Sequence, residues 1–486
     1  MPKRHERTRR GAYTPRLTGP DARRQPPRAV FHNPDGQHQR RSTGMTRNPH
    51  AAQPAPHNPW REICAASIGN ALEFYDLLIY GYFAIVIGQL FFPTHDAATS
   101  LLLSVGTFGI SFVTRPLGSI VLGSYADRAG RKASLTISIG LMMLGTAMIA
   151  FAPTYAQIGI ASPLLIIVAR MLQGFSTGGE FGAATAFMVE QADARRRGFF
   201  ASWQMSTQGL ATVLAAGVSA LLSLLLTADQ LHAWGWRVAF AVGLLIGPVG
   251  LYIRRNIDEP ADFRRLGEAG RAKSPLRDVF VRDRANMLLG AGVVATATAF
   301  NYVHKLYMPT YAVKQLHIPA TSSYLGAVVT GAMLMIAAPV VGHLSDRFGR
   351  IRVMLIALIL VGVTTWPLFV LLNRYPTVET LLAVQALVGL LIAVSLAPLP
   401  ALLADIFPTS TRGTGLALSY NFSVTLFGGF APLIVTWLID ATHDKLAPSF
   451  YVMATAVLGI TSVISLGRRM RGAAAGSAPA TRATEA

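Results

Sequence analysis

The chain has 486 residues, 52% of them hydrophobic and only 14% charged, with a mean hydropathy of +0.41. A soluble domain of that balance would expose a sticky surface, so the composition excludes one and predicts an all-α integral membrane protein. The net charge of +19 would suit a nucleic-acid partner, but the placement of the basic residues excludes that class. They gather in the N-terminal tail, at Arg128 to Lys132, Arg195 to Arg197, Arg254 to Arg284, Arg347 to Arg352 and Arg468 to Arg471. Those are alternate loops of a many-span protein.

Residues 1–59 are rich in Arg, Pro, His and Gln and read as a disordered basic cytoplasmic tail. They lack the apolar stretch of a secretory signal. A tail of this kind suits anionic lipid head groups or plain solvation, and Met45 suits an alternative start. Apolar runs of about 20 residues, the length that crosses a bilayer, then recur twelve times. They centre on residues 63–90, 99–123, 134–153, 162–189, 199–226, 236–254, 286–309, 321–343, 352–372, 379–404, 413–439 and 448–467. The expected domains are a six-helix bundle over 60–254, a cytoplasmic linker over 255–285, a second six-helix bundle over 286–467, and a cytoplasmic tail over 468–486. With the basic loops inside, both termini face the cytoplasm, and the expected location is a bacterial inner membrane.

Span one holds Glu73 and Asp76, which share a helical face with Gly69 and Tyr80, with Tyr75 between them. An ionised group in hydrocarbon costs at least a few kcal/mol, so that face is expected to line an interior pathway. Span two carries Arg115 near mid-depth, and span four carries Arg170, Gln173, Thr177 and Glu180 on one arc. A carboxylate can be neutralised by a proton or by an arginine, and a charged substrate can tip that choice. Glu73, Asp76 and Glu180 are therefore the expected proton-coupling groups, with Arg115 and Arg170 as anion contacts or charge partners; a static ion network fits the same residues.

Span five offers Gln204 and Gln208 with Trp203, and span eleven offers Ser419, Asn421 and Ser423. Amides and hydroxyls of this kind bind a polar solute or simply join packed helices. In span seven, Asn301, His304, Lys305 and Met308 share a face, with Tyr302 adjacent. Lys305 is expected to snorkel to the outer surface, and Tyr307 and Tyr311 fit an interfacial aromatic belt. The candidate substrate contacts are Tyr75, Tyr80, Arg115, Arg170, Gln173, Gln204, Gln208, Asn301, Tyr302 and Asn421.

An internal repeat organises the spans. Gly123, Asp127, Arg128 and Arg131 follow span two, and Gly342, Asp346, Arg347 and Arg350 follow span eight in the same pattern, the aspartates lying 219 residues apart (346 − 127). Glu190 with Arg197, and Asp405 with Arg412, echo each other at 215 residues (405 − 190 and 412 − 197). The glycines suit a tight turn, and each aspartate can accept hydrogen bonds from an exposed helix N-terminus in the opposite bundle. Arg131 and Arg350 can then pair with Glu190 and Asp405, which makes these residues the candidate cytoplasmic gate or, alternatively, mere fixers of topology.

The doubled G-x-x-x-D-R-x-G-R pattern resembles the major facilitator superfamily over about residues 60 to 470. Asn70, Glu73, Tyr75 and Asp76 in span one, Arg115-Pro116 and Gly118 in span two, and Arg170 to Glu180 in span four, with Arg197-Gly198 after it, resemble its metabolite-proton symporters. Ser202-Trp203-Gln204 with Gln208, and Tyr307 to Tyr311, look most like the citrate branch. The resemblance implies a twelve-helix secondary transporter of two six-helix repeats, working by alternating access as a monomer. It implies symport of protons with citrate or another di- or tricarboxylate, or else with shikimate or a zwitterionic osmolyte such as proline or betaine.

No phosphate-binding loop, metal-ligand spacing or catalytic elbow is visible in the sequence. The expectation is accordingly no enzyme, no metal and no cofactor beyond the proton. The lone Cys64 is expected only to pack. A non-transporting receptor or scaffold on the same fold is the alternative from a different class.

Overall fold

The computed structural model describes residues 59–129, 131–178, 185, 195–255, 279–281, 283–407 and 412–476. The expectations for the N-terminal tail, most of the linker, and Glu180 and Glu190 lie outside these residues, as do those for the side chains of Cys64 and Gly69. The described regular structure is entirely helical. Span one is the pair Pro59–Tyr82 and Ala84–Phe91; span two is Ala97–Val113 continuing into Arg115–Ala129; span three is Arg131–Ala150; span four begins as Ala161–Gly178; spans five and six are Arg197–Leu225 and Trp236–Arg255. Span seven joins Arg284–Asn301 to Met308–Gln315; spans eight and nine are Ala320–Phe348 and Arg350–Arg374; span ten is Val378–Leu396 with Leu399–Ile406; span eleven joins Arg412–Ser423 to Ala431–Thr442; span twelve is Ala447–Gly476.

All twelve apolar stretches thus carry helix over their described residues. Among the described residues, eight helices are long and apolar enough to cross a membrane, and Glu73–Tyr82 with Ala84–Phe91, bent by 67°, make a ninth if the pair is one span. The side chains are distributed for lipid. Leu224, Leu245, Ile336 and Val363 are 70%, 74%, 65% and 68% exposed, while Arg170, Gln204 and Ser104 are buried. That inversion is what a bilayer requires of a helical bundle.

Two spans break in the same way. Span seven passes through a π-helical segment, Tyr302–Tyr307, just before Pro309, and span eleven passes through another, Val424–Gly429, just before Pro432. A proline cannot donate to the preceding turn and its ring crowds the carbonyl there, so a wider turn relieves both defects. It also frees carbonyls for side-chain donors.

The repeated motif is not the loop expected from sequence. Gly342, Asp346 and Arg347 are the last turns of span eight, and the reversal falls on Gly349, whose φ of 92° suits glycine. Gly342 serves a different end, packing against the carbonyl of Gly198 and the side chain of Ser202 on span five, where a Cβ would overlap them. Spans five and eight run along each other, and Ser206 donates to the carbonyl of Met335 at 2.7 Å.

Candidate functional site

Spans one, two, three and four converge on a small cavity with about 10 Å³ of free space, lined by Glu73, Asp76, Ser111, Arg115, Arg170 and Gln173 among others. That is room for about one water molecule. Gly174 and Gly178 allow the convergence, because they bring span four against the carbonyls of Ser111 and Arg115 on span two, where a side chain would overlap. Glu73, Asp76, Arg115 and Arg170 are all buried.

One chain of hydrogen bonds ties the charges together. The Thr146 hydroxyl of span three donates to Asp76 Oδ2 at 2.5 Å and accepts from Gln173 Nε2 at 3.0 Å. Gln173 Oε1 in turn accepts from Arg170 Nη1 at 2.7 Å, and Arg170 Nη2 donates to Ser111 Oγ at 3.1 Å. Asp76 Oδ1 has no partner among the described residues. The described hydrogen bonds of Arg170 therefore all go to neutral groups, and its guanidinium lies over the rings of Tyr80 and Phe108, 4.4 and 5.2 Å from their centres. Arg115 lies 4.0 Å from the centre of the Phe112 ring. Cation–π contact holds both guanidinium planes without neutralising them.

Tyr80 thus joins the cluster through its ring, its hydroxyl donating to the carbonyl of Ser104. Tyr75 points elsewhere, its hydroxyl donating to the carbonyl of Ala239 on span six at 2.9 Å. Gln204 Oε1 accepts from Thr185 at 2.9 Å, and Gln204 Nε2 and Gln208 Nε2 are buried with no partner among the described residues. Asn301 Oδ1 and Tyr302 Oη on span seven are likewise unpartnered. Asn421 on span eleven donates to Ser119 on span two at 3.1 Å, bridging the first and last six spans.

Lys305 and the span-seven tyrosines depart from the sequence expectation. Lys305 does not snorkel; it is 2% exposed, with Nζ 5.6 Å from the centre of the Phe74 ring on span one. The π-helical segment turns it inward. Tyr307 and Tyr311 are also buried, and Tyr311 donates to the carbonyl of Lys445 while accepting from Asn373. Sequence reasoning missed Thr146 altogether. Its signal was a hydroxyl beside Gly145 in an otherwise apolar stretch of span three.

At one end of the bundle the second copy of the repeated motif forms a closed arrangement. Asp346 Oδ1 and Oδ2 accept from the backbone amides of Gly198 and Phe199 at 2.8 and 2.9 Å, at the open N-terminus of span five. Arg350 donates to Asp346 at 2.8 Å and to Asp405 on span ten. Arg347 is exposed beside Phe348, and Arg197 is half-buried. Gly123, Asp127, Arg128, Arg131 and Arg412 lie on described helical backbone, but their side chains fall outside the described set. At the opposite end Tyr82 donates to the carbonyl of Lys305 at 3.2 Å, and Tyr324 donates to that of Tyr82 at 2.9 Å.

The sequence matches the Major Facilitator Superfamily over residues 67–337 and 307–484. The chain belongs to that superfamily. Among its superfamily relatives is the citrate-proton symporter of Klebsiella pneumoniae, 34% identical over 84% of this chain and 91% of that one. Another is the proline/betaine transporter of Salmonella typhimurium, 32% identical over 86% of each. Among solved major facilitator structures, the xylose transporter from E. coli, partially occluded and open inward, overlays with a TM-score of 0.65 over 88% of this chain and 99% of that one. At 16% identity that likeness speaks for the fold alone.

Proposed function

We propose that the protein is a proton-coupled symporter that takes up a small organic anion, citrate or another di- or tricarboxylate, by alternating access. The observation that carries this reading is the chain Asp76–Thr146–Gln173–Arg170. It links a carboxylate to a guanidinium whose described hydrogen-bond partners are neutral, so an arriving anion and the carboxylate compete for the same positive charge. Cargo bound at Arg170 and Arg115 releases Asp76 from that field and lets it take a proton from the outer side. Once the site opens inward, loss of cargo returns the field and expels the proton. Glu73 and Glu180 serve as further members of the relay.

The cavity is too small for such cargo as it stands, so loading requires the ends to open in turn. Asp346, Arg350 and Asp405 form one gate, and Asp127, Arg131 and Glu190 form its counterpart. Both sit on the cytoplasmic side, where the termini lie, in a bacterial inner membrane. The protein needs no partner subunit in this mechanism.

The proline/betaine relative supports a second reading, symport of a zwitterionic osmolyte with the same proton chemistry. Uptake of a labelled panel of citrate, succinate, shikimate, proline and betaine into proteoliposomes under an imposed pH gradient decides. Gradient-driven citrate or succinate uptake is the expected outcome; betaine or proline uptake selects the second reading, and no uptake of any solute selects a receptor or scaffold.

A further inference from the structure

We propose that Lys305 is a specificity-determining anion contact, the cation that receives a second carboxylate of the cargo. The inference rests on the organic-anion reading above. Three polar atoms on one stretch of span seven, Asn301 Oδ1, Tyr302 Oη and Lys305 Nζ, are buried with no partner among the described residues. The segment is fixed rather than loose. Tyr82 donates to the carbonyl of Lys305, and Gln385 Nε2 donates to that of His304 at 3.1 Å, filling the carbonyls that the π-helical turn sets free. Those bonds aim the Lys305 side chain at span one, where it meets the ring of Phe74, next in sequence to Glu73.

The same segment touches the arginine site. The Tyr302 ring packs 5.6 Å from Phe112 and 6.3 Å from Phe108, centre to centre. Those two rings carry Arg115 and Arg170. Lys305 is three residues beyond Tyr302, so the cation and the arginines flank one interior.

An ammonium buried without a counter-charge is strongly disfavoured, and an aromatic face offsets only part of that penalty. Among the described residues the buried interior holds three cations, Arg115, Arg170 and Lys305, and two carboxylates, Glu73 and Asp76. A zwitterion leaves that excess in place. With Asp76 protonated on loading, the three cations face only the carboxylate of Glu73, and a cargo with carboxylates at both ends removes that excess of two, one group lying at the arginines and the other at Lys305, with the Tyr302 hydroxyl as a neutral donor between them.

The test titrates purified full-length protein with citrate and with the terminal monoamide of citrate, which has the same shape and one carboxylate fewer. The parent should prefer citrate by about tenfold or more. Lys305→Met should lose about tenfold for citrate and less than about threefold for the monoamide, so that the preference collapses, while Lys305→Arg should retain most of it. Thermal unfolding of unliganded Lys305→Met should be no lower than that of the parent, because the substitution removes an uncompensated buried charge. A lower unfolding temperature, or equal loss for both ligands, would overturn the proposal by making Lys305 structural. Citrate binding by the parent with undiminished affinity in Lys305→Met removes this inference alone. Betaine binding without citrate binding removes the organic-anion reading and this inference with it.

Discussion

Spans one to six gather Glu73, Asp76, Arg115 and Arg170 around one cavity. The buried polar side chains of spans seven to twelve are, among the described residues, mainly hydroxyls and amides, with His304 and Lys305 as the ionisable exceptions. At the helix ends the contrast disappears, because the glycine, aspartate and arginine of the repeated motif occur in both parts of the chain. The two parts of the chain share the end motif and differ in their buried ionisable residues. A physical reason is available: a latch works by geometry and serves equally well on either side, whereas two ionic clusters facing each other in a low-dielectric interior would couple their charges and double the desolvation cost.

That contrast can be broken most directly at Asp76. Asp76→Asn should abolish gradient-driven accumulation while leaving counterflow exchange, since the amide keeps the shape and loses the titration; both are read in the same proteoliposomes. An Asn variant that still concentrates substrate would remove Asp76 as the coupling site. Arg170→Gln comes next. It should weaken binding of an organic anion by about 1 to 3 kcal/mol, the range for a lost charge-assisted donor, and barely change binding of a neutral competitor. Equal losses in the two titrations would make the cluster a static ion network.

Asp346→Ala removes the acceptor for the Gly198 and Phe199 amides and the partner of Arg350. A contact worth about 1 to 2 kcal/mol in only one conformation shifts the populations roughly 5- to 30-fold. Labelling of cysteines placed in the nearby halves of spans four and ten, in a Cys64→Ser background, should rise accordingly. Asp127→Ala should raise it by a similar factor if the two gates are equivalent, and unchanged labelling in both would reduce the motif to a topological role. The smallest effect is expected at Asn421, where Asn421→Ala loses one bridge to Ser119. About 0.5 to 1.5 kcal/mol of stability should be lost, measured by thermal unfolding in detergent.

Much of the site was legible because ionised residues in apolar runs stand out against their surroundings. Asp76, Arg115 and Arg170 were visible on that ground alone, and the cavity brings them together. Thr146 was not, since one hydroxyl in a helix is ordinarily satisfied by its own backbone, and the Met142 carbonyl stands 3.0 Å from the Thr146 hydroxyl as the alternative acceptor of its single proton. Nothing local marks it as the link between Asp76 and Gln173.

The apolar stretches and their repeat follow from the order of residues alone, because spanning length, charge cost and motif spacing are properties of consecutive residues. That order also puts an aspartate where a helix N-terminus in the other part of the chain would need an acceptor. Which amides those are, Gly198 and Phe199, follows from how spans five and eight pack, and from the folded structure alone. It alone turned Lys305 from the surface to the interior, and it alone sent the Tyr75 hydroxyl to Ala239 rather than to the cavity. Helical periodicity gives the angle between side chains on one helix, whereas the rotation of that helix about its axis is set by its neighbours. In span seven a π-helical turn before Pro309 resets that angle as well.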